Sequence, residues 1–369
     1  MNPLLIFAAA SLTVLGVAHI LSPRHKKGAP SMRKTHTEIS KYHNDKVRLP
    51  QSTQDKLREH RQANRNRLEN GLQKADKPRQ KDFIAQGSYA MHTINQHQNN
   101  DYDIDDGAAF DKDDLVGDRG AEMSGLQSRQ MVRDAIDDGS FKNAPEVKTN
   151  CVRVYYQEGH HVDIPVYRKC KDMWDEEYLE LASSSWKKSD PKGVTDWFKN
   201  AVKNKSPDSN NDGQQMRRIT RLLKKFSTSR DSWNSPSGFI ISVLADECYS
   251  SKIDRDDEAL YETMKLIHNR LLSNLTVRHP VLSENLTKSN EDACMTEFRD
   301  HLEKALDDLQ VLFDDGCTHK AAMAAWRKVF NDKFFDEQVA SENRAAAGFA
   351  VASSVPCTPV QKQGGGRFG

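Results

Sequence analysis

The stretch GSYAMHTINQHQNNDYDIDDG, residues 87–107, decides how the rest of this 369-residue chain is read. Near its end aspartate alternates with an apolar residue: Asp103, Ile104, Asp105. A strand points successive side chains to opposite faces, so the two carboxylates share one face while Ile104 turns into a core. A third aspartate, Asp163, lies in HVDIPVY, residues 161–167, among β-branched residues that read as another strand. If the two strands adjoin, three carboxylates converge and can hold two Mg2+ ions roughly 3.5–4 Å apart.

The start of the stretch fits the other half of such a reaction. Phosphates bind where backbone N–H groups are free, at a helix start or tight turn, and Gly87 permits close approach of the backbone. Ser88 can donate its hydroxyl to a phosphate oxygen, and Gln86 leads into the turn. The residues after Ser88 read as a short helix leading to the aspartate strand. A metal pair beside a phosphate-binding turn suits nucleotidyl transfer, in which a ribose hydroxyl is activated and pyrophosphate leaves.

Each element has a plainer reading. An acidic run such as 101–106 is by itself the mark of a solvated loop. A calcium-binding EF-hand loop counted from Asp101 requires Gly at its sixth position and Glu at its twelfth, where this chain has Asp106 and Lys112. Asp163 alone is an ordinary strand-end carboxylate. The pair His160-His161 invites a metal reading, but a strand throws the two rings to opposite faces. It is the order Gly-Ser, Asp-x-Asp, then Asp among β-branched residues that favours catalysis.

These residues resemble a family, the bacterial cGAS/DncV-like nucleotidyltransferases that make cyclic oligonucleotide signals in antiphage defence, and within it the DncV dinucleotide cyclase branch. The resemblance is carried by QGSYAMHTIN, DIDDG, KTNCVRVYYQEGHHVDIPVY, SDPKGVTDWF, RRITRLLKKF and WNSPSG, in family order from about Gln86 to Leu244. It implies an α+β fold, a polymerase β-like mixed-sheet lobe plus a helical lobe. It also implies a Mg2+-dependent synthase, with Mn2+ as a substitute, that joins ATP and GTP or related nucleotides into a cyclic dinucleotide such as cyclic GMP-AMP. Asp103, Asp105 and Asp163 match the metal-binding aspartates, and Gly87 and Ser88 the phosphate-binding turn. Lys224 and Ser237 match a helical-lobe lysine and serine that contact the donor triphosphate. On residue chemistry alone Lys224 can equally face solvent and Ser237 can simply cap the helix beginning at Gly238.

Composition sets the frame. Lys and Arg number 54 against 53 Asp and Glu, so no global basic field argues for nucleic acid and any basic groove must be local. The six cysteines show no CxxC pair and read as reduced thiols. Residues 1–22 carry no charged side chain, and Arg24, Lys26, Lys27, Arg33 and Lys34 follow. That pattern favours a hydrophobic helix anchoring a cytoplasmic catalytic domain to the inner membrane, over a start placed too early or a signal peptide. Residues 23–50 read as a basic tether, 51–175 as the nucleotidyltransferase lobe, 176–342 as the helical lobe and 343–369 as a flexible tail.

Within these bounds, 52–76 is a helix and 82–167 holds the sheet, with an acidic glycine-containing insert at 111–139 that includes a helix over 127–136. Helical periodicity marks 192–203, 214–226, 238–249, 257–275, 291–313 and 318–335. Trp197, Phe198 and Trp233 are candidates for stacking on nucleobases, although aromatics at helical spacing more often fill cores. The chain finishes Gly364-Gly-Gly-Arg-Phe-Gly369, and the family resemblance makes Gly369 a candidate for conjugation by an E1/E2-like ligase. Two other functions remain open: an RNA- or tRNA-directed transferase of the same fold, with a basic groove beside the cleft, and a catalytically silent nucleotide-sensing scaffold.

Overall fold

The aspartate stretch forms the central strand of a mixed sheet in the computed structural model, which describes residues 31–97, 102–117, 120–208, 214–289 and 291–341. This strand, β2 (Asp103–Asp111), pairs antiparallel with β1 (Asp82–Gln86), which precedes it. It also pairs in parallel with β5 (His161–Ile164) and, further along, with β6 (Val166–Lys171). The break between β5 and β6 falls at Pro165, which has no N–H to donate; its carbonyl accepts from Ala108 N at 2.9 Å, so the register is kept. The strands β3 (Glu146–Val147), β4 (Val152–Tyr155), β7 (Glu177–Ala182) and β8 (Trp186–Ser189) complete the order β3-β4-β5-β2-β6-β7-β8, with β1 on β2.

One face of the sheet is covered by α2 (Gln51–Lys74) and α4 (Gly125–Ile136). The acidic insert thus supplies a structural helix. Its N-terminus is closed by a capping box: Ser124 Oγ accepts from Gln127 N, and Gln127 Oε1 accepts from Ser124 N at 2.9 Å. Met131, Val132 and Ile136 pack with Val152, Val154, Val162 and Ile164 of the sheet and with Leu68 and Leu72 of α2. The two helices cross so closely that a Cβ on Gly71 would lie 1.8 Å from the Ala135 carbonyl oxygen.

The second core is helical. It is built by α6 (Gln215–Ser227), α7 (Gly238–Cys248), α8 (Asp256–Ser273), α9 (Ala293–Leu309) and α10 (His319–Phe330), with α5 (Pro191–Lys205) packed beside α6 and α7. The helices fall where periodicity places them, within a few residues at each end. The reading of 176–342 as helical is corrected at its start, because β7 and β8 extend the sheet to Ser189. Leu179 and Leu181 share one side of β7, a pair too short to stand out as strand periodicity beside the helical pattern that follows.

The tether reading of 23–50 is overturned from Met32 onward. The short helix α1 (His36–Tyr42) continues into a π-helical turn over His43–Val47. Ile39, Tyr42 and Val47 are fully buried in the helical core. Tyr42 packs against Phe330, Phe334 and Phe335 with ring centroids 4.7, 5.2 and 4.8 Å away. Trp326 Nε1 donates to Thr35 Oγ1 at 2.9 Å, and Thr35 N donates to Asp257 at 2.7 Å. Three apolar side chains among many charges are too few to show as periodicity, yet they complete a core made almost wholly of distant sequence. The expected hydrophobic helix at 1–22 and the tail with Gly369 lie outside the described residues, among which no helix is long and apolar enough to cross a membrane.

Candidate active site

Parallel pairing of β2 with β5 sets Asp105 opposite Asp163 and Asp103 opposite His161. Ile104, between the aspartates, is fully buried with Leu49, Leu57 and Ile94. The alternation therefore sends one side chain to a core and two carboxylates to the other face. Ligand atoms of Asp103, His161 and Asp163 all lie within 4.8 Å of one another, so His161 joins the cluster while His160 does not. His160 instead stacks on Tyr156 and meets His60, its Nε2 being 2.7 Å from His60 Nδ1. The two rings diverge as a strand requires, but one of them does reach the metal-binding face. Asp106, the next acid along, turns away and accepts two hydrogen bonds at 2.6 Å from Arg65; it is a structural ion pair.

The electrostatics of this face call for a cation. Burial pushes Asp105 up from 3.8 to about 8, and the charges of Asp103 and Asp163 push the same way. Arg153, set opposite Asp163 on β4, donates two hydrogen bonds to it at 2.7 Å each. This neutralises one carboxylate of three. The face stays acidic, and it supplies hard oxygen donors with one imidazole, a set that suits Mg2+ or Mn2+.

The phosphate turn lies against the same carboxylates. Register places Gln86 opposite Asp105, and Gly87 then turns with φ +67° into α3 (Gly87–Ala90). A Cβ at Gly87 would sit 1.9 Å from Asp105 Oδ2, so only glycine fits there. Gln86 Oε1 accepts from the Tyr167 hydroxyl at 2.9 Å, which fixes its side chain. A cavity of about 590 Å3 is lined by Gln86, Gly87, Ser88, Asp103, Asp105 and Lys224, a size that suits a nucleotide.

Lys224 is buried, not solvent-facing. The helix α6 is enclosed on nearly every side, and Lys224 Nζ donates to Thr93 Oγ1 at 2.8 Å. Burial, then the Arg221 charge, lower it from 10.5 to about 7, while Asp103 opposes that shift. Ser237 is exposed and accepts from Ile240 N at 3.3 Å as the N-cap of α7. Its neighbours Pro236 and Gly238 line the cavity. The stacking candidates do not reach it: Phe198 is core, Trp197 donates to Asp246, and Trp233 stacks on His301 at 3.8 Å. The aromatic groups that line the cavity are His97, Tyr102, Tyr167, Phe239 and His279. Sequence reasoning missed Arg153, for which a lone arginine in the strand Val-Arg-Val-Tyr was the available sign, and raised but set aside a metal role for the His160-His161 pair, of which His161 reaches the cluster.

A mixed sheet carrying Gly-Ser and three aspartates on adjacent strands, closed by a helical layer with a buried lysine, defines a nucleotidyltransferase fold. Residues 81–167 match the family model described as "Cyclic GMP-AMP synthase DncV-like, nucleotidyltransferase domain". Over these residues the chain is similar to the nucleotidyltransferase domain of that family. The cyclic GMP-AMP synthase of Escherichia albertii is 29% identical over 227 residues, 57% of this chain and 46% of that one, so the chain spans about half the length of the curated relative it matches. Solved structures share the fold. A mutant of the Vibrio cholerae di-nucleotide cyclase DncV superposes with TM-score 0.66 at 15% identity, over 82% of this chain and 97% of that one. The Bradyrhizobium diazoefficiens CD-NTase CdnG in complex with GTP gives 0.65 at 15%, over 84% and 98%. Escherichia coli CdnC with ATP gives 0.59 at 21%, over 81% and 98%.

Proposed function

We propose that this protein is a Mg2+-dependent synthase that joins nucleoside triphosphates into a cyclic dinucleotide, cyclic GMP-AMP or a related purine product, as a defence signal. The observation that carries the reading is the convergence of Asp103, Asp105 and Asp163 beside Gly87, with Asp105 pushed up to about 8 by burial and then by the charges of Asp103 and Asp163. Gly87, Ser88 and Lys224 would hold the donor triphosphate. Asp103, Asp105, Asp163 and His161 would hold the cations, which supply Lewis-acid stabilisation of the α-phosphate and the departing pyrophosphate. Asp163 assists removal of the acceptor hydroxyl proton, its carboxylate held in place by Arg153. A second transfer in the same cavity closes the ring. Ligation through Gly369 and anchoring by 1–22 belong to the same proposal and rest on the sequence alone.

The test is incubation of the chain with Mg2+ and labelled ATP, GTP, CTP and UTP, followed by phosphatase and mass spectrometry. A phosphatase-resistant product without free ends is expected. Asp103→Asn should abolish pyrophosphate release with the fold intact; near-normal release from that variant defeats the assignment. A polynucleotide-acceptor reading draws on one observation, a second cavity lined by Arg48, Arg58, Lys199, Lys203, Arg217 and Arg221. It predicts extension of added RNA in place of a cyclic product.

A further inference from the structure

A second cavity, of about 910 Å3, opens between the start of α2, α5 and α6. Six cations line it: Arg48, Arg58, Lys199, Lys203, Arg217 and Arg221. The one carboxylate among the lining residues, Asp208, is bound to Arg218 at 2.8 Å. Lys199 and Lys203 lie one turn apart on α5, as do Arg217 and Arg221 on α6, so each helix presents a pair on one face. Among the described residues no carboxylate pairs with Lys199, Lys203 or Arg217, and the buried Arg217 Nε has no hydrogen-bond acceptor. His92, held at φ +55°, lines the same space; burial, then Arg217, Lys199 and Arg221, lower it to about 4, so it stays neutral.

We infer that this cavity binds a small polyphosphorylated anion, and that the bound anion tightens nucleotide binding in the catalytic cleft. Arg58 is paired with Asp55 at 2.9 Å, but Lys199, Lys203 and Arg217 converge with no carboxylate beside them among the described residues. This raises the energy of the empty site, and a multivalent anion relieves it. Guanidinium forks match phosphate oxygens, and the volume suits a nucleotide-sized ligand. The coupling has a short path. His92 lines this cavity, while Thr93 to Gln96 line the catalytic one. Asn95 Nδ2 donates to the Arg221 carbonyl at 2.9 Å, and Thr93 Oγ1 accepts from Lys224. An anion that offsets Arg221 relieves the like-charge pressure on Lys224 one turn further along α6, favouring the charged lysine that a triphosphate needs. The coupling rests on the proposed function; the binding does not.

The probe is inorganic tripolyphosphate, titrated calorimetrically into the full chain without divalent metal. Three proteins are compared: wild type, Lys199→Gln/Lys203→Gln, and the cleft variant Ser88→Ala/Lys224→Met. The α5 variant is expected to bind at least tenfold more weakly, while the cleft variant retains the site. Absence of saturable binding, or binding abolished by the cleft variant and untouched by the α5 variant, overturns the site. Binding of a short RNA duplex but not of tripolyphosphate overturns the small-ligand assignment. In turnover assays, tripolyphosphate below its competing concentration should lower the nucleotide KM severalfold in wild type and only compete in the α5 variant. Competition alone in both overturns the coupling. If no turnover exists, the functional reading fails while the calorimetry still decides the site.

Discussion

Asp105→Asn should stabilise the metal-free protein at alkaline pH while destroying its activity. The folded protein holds Asp105 at about 8 against an ordinary 3.8, so between those values it binds a proton that the unfolded chain has released. Stability therefore falls as pH rises from about 4 to about 8, and above that the whole penalty is present. At 1.36 kcal/mol per pH unit the ceiling is about 6 kcal/mol, and relaxation of the neighbouring carboxylates brings the expected loss to about 2–3 kcal/mol. Asparagine keeps the shape and removes the charge. The assay is thermal unfolding of both proteins in chelator at pH 5.5 and 8.5, then with added Mg2+ or Mn2+. The variant's midpoint should exceed wild type by about 5 °C at pH 8.5, and the gap should shrink at pH 5.5. Metal should raise wild type and leave the variant nearly unmoved. A variant no more stable than wild type at pH 8.5, or a gap independent of pH, refutes the charge argument.

Other sites give independent tests. Lys224→Met removes a charge-assisted contact worth roughly 1.5–3 kcal/mol, so nucleotide KM should rise about tenfold or more. Because Lys224 titrates at about 7, KM in wild type should climb as pH passes above 7 and the lysine loses its proton, while Lys224→Arg gives a flat profile. Gly87→Ala forces a methyl into Asp105 at positive φ; it should abolish turnover and lower the unfolding midpoint, whereas a variant with wild-type rates would show that the turn is not built as described. Tyr42→Ala should cost about 3–5 kcal/mol on denaturant unfolding, because its ring fills the helical core. A cost under 1 kcal/mol would restore the tether reading of that segment.

The alternation at 103–105, the Gly-Ser turn and the β-branched flanks of Asp163 were legible because local rules govern them: strand periodicity, the conformational freedom of glycine and helical spacing. The helix positions followed for the same reason. Other features depend on which segments meet, and no local rule reports that. Arg153 neutralises Asp163 only because β4 lies against β5 in that register, and His161 reaches Asp103 only because β5 runs parallel to β2. Residue chemistry left Lys224 open between solvent and a triphosphate contact, and the structure buries it, since α6 is enclosed by helices drawn from both sides of it in the chain. The segment around Tyr42 is likewise polar by count and core by position. The sequence by itself determined the chemistry of the carboxylates and the phosphate turn, because backbone periodicity orients each side chain locally. Tertiary structure alone decided the charge state of Asp105, the burial of Lys224 and the convergence of Lys199, Lys203, Arg217 and Arg221, because Coulomb interactions and desolvation depend on distances between residues far apart in the chain.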